Sequence, residues 1–309
     1  MTYFKQAALV LVLFFLVLAS PAFAGTGEVR GLTQEGMIAL QNGKLDMAET
    51  KLLKASKVAK VSGPLYTEYA ESLLNLGALY DRKKQIDEAA SKYNEALSIY
   101  KKAYGNKALQ VAKCYHGLGE LYRHQKQYLK SIPFYNKALE IRRVSAPGHT
   151  DLAETSHGLA RTFLALKQYE EAQPLLKEVV SIQEKAYGPD DRRMVKTLYE
   201  LARSYEGANK TNLAIPTYRK VISVLKLAYG DQNPRIASTY ERMGAAYSRT
   251  LHYKEAESAY ASALQIREAH KKKFPDKYAD CVKAYVKVLK KLKKDALAKE
   301  WQDKLASHK

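Results

Sequence analysis

The sequence predicts an all-α chain built as a stack of helix hairpins, and three observations carry that expectation. A pair of mostly small residues twelve positions apart recurs as Gly36/Ala48, Gly77/Ala89, Gly119/Ser131, Ala160/Ala172, Ala202/Ala214, Gly244/Ala256 and, less cleanly, Val286/Ala298. Their first members advance in steps of 41, 42, 41, 42, 42 and 42 residues. Around each pair the apolar residues fall at i, i+3, i+4 and i+7, which is the spacing of one helix stripe. The dipeptides Tyr104-Gly105, Pro147-Gly148, Tyr187-Gly188 and Tyr229-Gly230 punctuate the stripes at gaps of 43, 40 and 42.

Composition narrows the class before any element is placed. The 309 residues carry 51 Lys plus Arg against 32 Asp plus Glu, a net charge of +19, and 46% are hydrophobic, so the chain is neither a disordered tail nor a membrane bundle. Two cysteines are too few for a disulfide scaffold or a four-ligand zinc site, and nine prolines with sixteen glycines exclude a collagen-like or linker-dominated chain. A folded, basic protein remains.

The first element is an export leader. Ala7 to Ala19 is a run of thirteen residues without a polar side chain, shorter than the about 20 needed to span a bilayer core. Ala22-Phe23-Ala24 follows in the A-x-A arrangement of a signal-peptidase site, so 1–24 is expected to be removed, with the cut after Ala24. The competing reading is an uncleaved anchor. No cysteine stands near the cut, which disfavours a lipoprotein, and the expected address is periplasmic or secreted.

Seven repeats of one pattern are then expected to fill 25–309 as a single array. Leu73, Leu76, Gly77 and Tyr80 form the stripe of a first helix, Arg82-Lys83-Lys84-Gln85 the polar turn, and Ala89, Tyr93 and Ala96 the stripe of a second. The pattern continues through Tyr115, Leu118, Gly119, Tyr122 with Ser131, Tyr135, Ala138, and as far as Tyr240, Met243, Gly244, Tyr247 with Ala256, Tyr260, Ala263. Small residues recur where the two helices of a hairpin approach closely, and large aromatics fill the space beside them. The trailing glycines suit left-handed helix C-caps, and Pro189 and Pro234 suit the start of the next helix.

This pattern resembles the tetratricopeptide repeat, with its aromatic or Leu, x2, Leu-Gly, x2, Tyr followed by Ala-x3-Phe or Tyr. Its 42-residue length is similar to the kinesin light chain type, as is the segment Tyr229-Gly230-Asp231-Gln232-Asn233-Pro234-Arg235-Ile236-Ala237. The paired asparagine of that type is reduced here to Asn75, so its peptide clamp is not implied. The resemblance implies a right-handed superhelical solenoid whose concave groove, lined by the first helices, binds a protein or peptide. Carried onto the central repeats, the groove positions are Lys113, His116, Glu120, Arg123 and His124, then His157 and Arg161, then Lys196, Tyr199 and Arg203. Bases outnumber acids among them, which favours an acidic partner through charge-assisted hydrogen bonds. The plainer alternative is a set of solvated helix faces.

Chemistry finds no foothold in the sequence. His116 and His124 lie eight residues apart, about 12 Å along a helix at 1.5 Å per residue, too far to share a metal. No H-E-x-x-H, G-x-S-x-G or phosphate-cradling loop is present, so the expectation is a non-enzyme without metal or cofactor. Glu170-Glu171 and Asp190-Asp191 read as helix-start acids. Cys114 and Cys281 fall four repeats apart and are expected to be buried small hydrophobes. From Arg267 to Lys309 there are fourteen Lys or Arg against six Asp or Glu, read as a solubilising cap or, alternatively, as a contact for an anionic envelope lipid or polymer. Nucleic acid is disfavoured, since no base-stacking platform is apparent.

Overall fold

The computed structural model describes residues 21–61 and 66–307. The apolar run of the predicted leader lies outside the described residues, whereas Ala22–Ala24 fall within the first helix. Among the described residues fourteen α-helices follow one another: α1 (Pro21–Gln41), α2 (Leu45–Val61), α3 (Tyr66–Arg82), α4 (Ile86–Tyr104), α5 (Leu109–His124), α6 (Tyr128–Ser145), α7 (Thr150–Ala165), α8 (Tyr169–Tyr187), α9 (Val195–Gly207), α10 (Thr211–Tyr229), α11 (Pro234–Arg249), α12 (Tyr253–Ala269), α13 (Pro275–Lys291) and α14 (Asp295–Ala306). A short 3₁₀ turn, Arg192–Met194, leads into α9. No described helix is long and apolar enough to cross a membrane.

Two compact units are present, Met1–Pro147 with α1–α6 and Gly148–Lys309 with α7–α14. Within each, every odd helix packs antiparallel on the even helix after it, and that even helix packs on the next odd one. The predicted stripes are the buried ones: Leu73, Leu76, Ala89, Tyr93 and Ala96 are at most 4% exposed. The small residues are where they are because an aromatic ring lies against them. A Cβ on Gly77, Gly119 or Gly244 would stand 2.8 Å from the ring of Tyr93, Tyr135 or Tyr260. The ring of Tyr93 is also held from the next hairpin, since a Cβ on Gly117 would meet it at 2.5 Å.

Left-handed caps form at different turns from those expected. The turn inside each of the seven hairpins carries one residue with φ between 56 and 74°: Gly43, Lys84, Lys126, Lys167, Asn209, Leu251 and Lys293. Each is followed by the long backbone bond of a Schellman turn, as in Gln85 N to Tyr80 O at 2.9 Å and His252 N to Tyr247 O at 2.9 Å. The hydrogen bonds satisfy carbonyls that would otherwise lack partners, so the strain is tolerated even on lysine. Gly105, Gly188 and Gly230 do have positive φ, but with ψ of 171, 158 and 164°, an extended mirror-image conformation rather than a left-handed cap.

Helix starts divide similarly. Pro234 is the first residue of α11, with the Asn233 side chain accepting from Arg235 N at 2.9 Å. Pro189 instead lies in the turn before the 3₁₀ segment, where Asp191 accepts from Arg193 N at 2.8 Å and supplies the cap.

At the C-terminal end Val282, Tyr285, Val286 and Leu289 are buried, and Trp301 meets Tyr285 edge-on at 5.7 Å. Lys287, Lys290 and Lys291 are exposed, as the amphipathic reading required. Arg267 departs from it. This guanidinium is buried, with Nε donating to Glu241 at 2.7 Å and Nη2 to Ser238 at 2.8 Å, so it belongs to the core of unit 2 and not to a basic surface. Cys114 and Cys281 are both buried and free, and burial raises the Cys114 thiol to about 12.

Candidate functional site

In unit 1 the five predicted residues all stand on α5, but three of them spend their charge on each other. Arg123 pairs with Glu120 and donates from Nε to Tyr135 Oη at 3.2 Å, while the Tyr135 hydroxyl donates to Glu120. His124 reaches back to α3, with Nδ1 2.7 Å from Asp81 Oδ2 and Nε2 3.3 Å from Glu120 Oε2. Burial alone would raise the Glu120 carboxyl, yet hydrogen bonds from His124 and Arg123 outweigh it and hold the group well below the usual carboxylate range. Hydrogen bonds to Asp81 and Glu120 lift the His124 imidazole to about 9. His116 is half-buried against the Tyr135 ring at 6.0 Å, and Lys113 is exposed.

Unit 2 brings the other five to α7 and α9. His157 Nε2 bonds Glu200, 43 residues away, and Arg161 Nε approaches the same carboxylate at 3.8 Å. Counting by repeat, Arg161 and Arg203 share the position that Glu120 holds in unit 1, whereas Arg123 stands one turn further on, at the position of Leu164 and Glu206. The three arginines therefore do not form one row of equivalent cations. Glu206 is buried and bonded by the Tyr218 hydroxyl at 2.6 Å and by Arg249 at 3.1 Å.

Lys196, Tyr199 and Arg203 line a cavity of about 290 Å³ closed by α10 and α11. Arg235, Ser238 and Thr239 of α11 complete its wall and were not among the predicted residues. The repeat register was the signal that could have found them, because Arg235 and Ser238 face α9 from the next first helix. Lys196, Arg203 and Arg235 are exposed and make no ion pair among the described residues, and the one carboxylate on the wall, Glu200, is the group that His157 bonds and Arg161 approaches. Apolar walls from Val195, Val221 and Leu225 lie behind the three cations, and the arrangement suits an anionic group on a larger body. Among the described residues no three His, Cys, Asp or Glu side chains converge to hold a metal ion.

The comparisons agree with this architecture. The tetratricopeptide-repeat family model matches residues 30–102, 84–144, 110–185, 151–227 and 193–269. No curated protein matches the chain. Among solved structures, the chain is similar to the nearly identical tetratricopeptide-like repeats of a putative kinesin light chain from Podosopora anserina, at 21% identity and a TM-score of 0.55 over 65% of this chain and 96% of that one. It is also similar to BtubC (BKLC) from P. vanneervenii, at 19% identity and a TM-score of 0.58 over 80% and 92% of the two chains. The apo form of RapI matches at 20% identity and a TM-score of 0.59 over 91% and 97%. At such identities the likeness concerns the fold alone. With matched segments running from residue 30 to 269 and the same hairpin observed in both units, the chain belongs to the tetratricopeptide-repeat family.

Proposed function

We propose that the chain is an exported, non-enzymatic scaffold that holds an acidic segment of a protein partner in the α9–α11 cavity. The observation that carries this reading is the trio Lys196, Arg203 and Arg235, three cations without an ion pair around one cavity whose single lining carboxylate, Glu200, is bonded to His157. A desolvated contact between such a group and a carboxylate contributes about 1.5–3 kcal/mol, against about 0.2–1 for an exposed pair. A hexaglutamate peptide titrated by calorimetry tests it. Arg203→Glu with Arg235→Glu should weaken binding at least tenfold, while Lys185→Glu with Lys277→Glu, reversed on exposed helix faces, should leave it within twofold. Equal losses from both double variants mean bulk electrostatics, and the cavity then has no special role.

The export half of the proposal rests on Ala7–Ala19 and the Ala22-Phe23-Ala24 site. Mass spectrometry of the protein from its source should find Gly25 at the N-terminus, and an intact Met1 rejects it. A second reading, attachment to an anionic envelope surface, draws support from the exposed lysines Lys287, Lys290 and Lys291 of α13. Reversing these three to Glu should abolish any pull-down with vesicles rich in anionic lipid; unchanged pull-down removes that reading.

A further inference from the structure

The seams between successive hairpins of unit 2 are closed by a recurrent polar contact, with one exception. Lys210, at the start of the second hairpin helix α10, bonds back to Glu170 at 2.8 Å and to Gln173 at 3.2 Å on α8. Two repeats on, Lys294 bonds back to Glu257 on α12 at 2.7 Å. The intervening seam holds His252 where the others have Lys210 and Lys294, and Ile215 where they have Gln173 and Glu257, each 42 residues away. His252 instead contacts Thr250 Oγ1 at 3.0 Å. No polar bond crosses at those positions, and a cavity of about 340 Å³ stands open between α10 and the α11–α12 turn.

The walls of this cavity are Ile215 and Pro216 on one side and Tyr247 on the other, with Arg219 at the rim. Arg219 forms no ion pair among the described residues; its guanidinium lies 3.5 Å from the Tyr247 hydroxyl. No carboxylate lines the cavity. Beside it stands Leu251, between the wall residues Thr250 and His252, 70% exposed and at φ 61°. Glycine, lysine or asparagine takes this left-handed position in all six other hairpins. A leucine there is strained and presents an apolar side chain to solvent beside an apolar opening, and neither feature serves the fold.

We propose that the open seam between α10 and α11–α12 docks a partner segment carrying one large apolar side chain next to a carboxylate. The apolar side chain enters between Ile215, Pro216 and Tyr247 with Leu251 over it, and the carboxylate meets Arg219. The volume accommodates a single aromatic or branched side chain, and the Arg219 guanidinium at the rim, which lines the adjoining cavity with Glu255 but forms no ion pair there, selects the charge beside it. This seam is distinct from the α9–α11 cavity and shares no lining residue with it.

The test uses three hexapeptides in a Gly-Ser frame with Phe-Glu, Phe-Lys or Gly-Glu at the centre, titrated into the full chain by calorimetry. Phe-Glu is expected to bind at least tenfold more tightly than either of the others. Ile215→Gln with His252→Lys rebuilds the Gln173–Lys210 closure of the preceding seam, and should remove that preference while leaving the melting temperature within a few degrees. Arg219→Glu should remove it as well, by loss of the charge contact alone. Leu227→Asn, at a leucine equally exposed elsewhere on α10, and the Arg203→Glu/Arg235→Glu variant should both retain it. Absence of the preference in the native chain, or its survival in both seam variants, overturns the proposal. So does a drop in sedimentation mass on Leu251→Asn, which would give the seam to a second copy of the chain.

Discussion

Glu71 in unit 1 and Lys196 in unit 2 occupy the same place in the repeat, and each lines a cavity enclosed by a first helix, its partner and the next first helix. The unit 1 cavity, about 260 Å³, presents Glu68, Glu71 and Gln110, with Tyr100 and Tyr104 behind and Arg30 and Lys113 at its edges. Its unit 2 counterpart presents Lys196, Arg203 and Arg235 against a single carboxylate, Glu200, with Val221 and Leu225 behind. Gln110 corresponds to Arg235 and Tyr100 to Leu225. Both cavities have the same backbone frame, because the stripe residues that build it are buried and closely packed in either unit. Their rims differ in charge because exposed helix positions contribute little to stability and are free to vary. If the cavity binds as proposed, ligand choice belongs to the rim, and likeness of fold does not carry it.

The largest expected effect tests whether the frame is shared. Tyr135 and Tyr218 are equivalent, fully buried, and each bonds a glutamate of the first helix. Tyr135→Ala and Tyr218→Ala should each cost about 3–5 kcal/mol in urea denaturation followed by circular dichroism. A difference above about 2 kcal/mol between them would show that the two frames are not equivalent. A transplant of the rim comes next. Glu71→Lys with Ala78→Arg and Gln110→Arg copies the three cations of unit 2 into unit 1, and should add a second site for the hexaglutamate peptide, raising the calorimetric stoichiometry from one to two. A stoichiometry that stays at one shows that Tyr100 and Tyr104, and not charge alone, exclude the acidic segment.

Smaller effects concern the turns. Leu251→Asn and Lys84→Asn, one in each unit, place at a left-handed position the residue that already serves at Asn209. Each should raise stability by up to about 1 kcal/mol, read as a shift in the denaturation midpoint. A loss in either unit would mean that the original side chain makes a contact outweighing its strain. The smallest effect is confined to unit 1. The folded-state pKa of His124 lies above its ordinary value of 6.5, so its pairing with Asp81 and Glu120 stabilises fully below that value and is lost as pH rises through about 9. The denaturation midpoint of the native chain should fall relative to His124→Gln between those two pH values, and parallel curves would contradict the network.

Much of the frame was legible in the sequence. The buried faces follow from the 3.6-residue period, and the hairpin register from the twelve-residue spacing of Gly77/Ala89 and its successors, because each helix forms from local hydrogen bonds and buries whichever stripe is apolar. The caps were half legible: glycine marks where φ must be positive, but Lys84, Lys126 and Lys167 adopt the left-handed conformation without any mark in the sequence, their strain offset by the Schellman bonds. Of the candidate groove residues, the sequence placed Lys196, Tyr199 and Arg203 on one helix face, and missed Arg235 and Ser238 because they arrive from the following repeat.

What the sequence by itself determined, then, is the repeat: its period, its two helices, and the small-to-aromatic contact of Gly119 with Tyr135. Only the tertiary structure decided which charges are free. Arg123 and Arg203 look alike along the chain, yet one is tied to Glu120 and Tyr135 while the other faces a cavity unpaired. Likewise Arg267 reads along the chain as part of a basic surface and is buried against Glu241. The seam at Ile215 and His252 opens for the same reason. Arg123 is tied within its own hairpin, 3 and 12 residues away, but the other charges and the seam are settled by side chains 26 to 43 residues away, brought within hydrogen-bond reach by stacking, as His157 is to Glu200 and Arg267 to Glu241. Local periodicity fixes a residue's own helix face and carries no information about what the neighbouring helix sets opposite it.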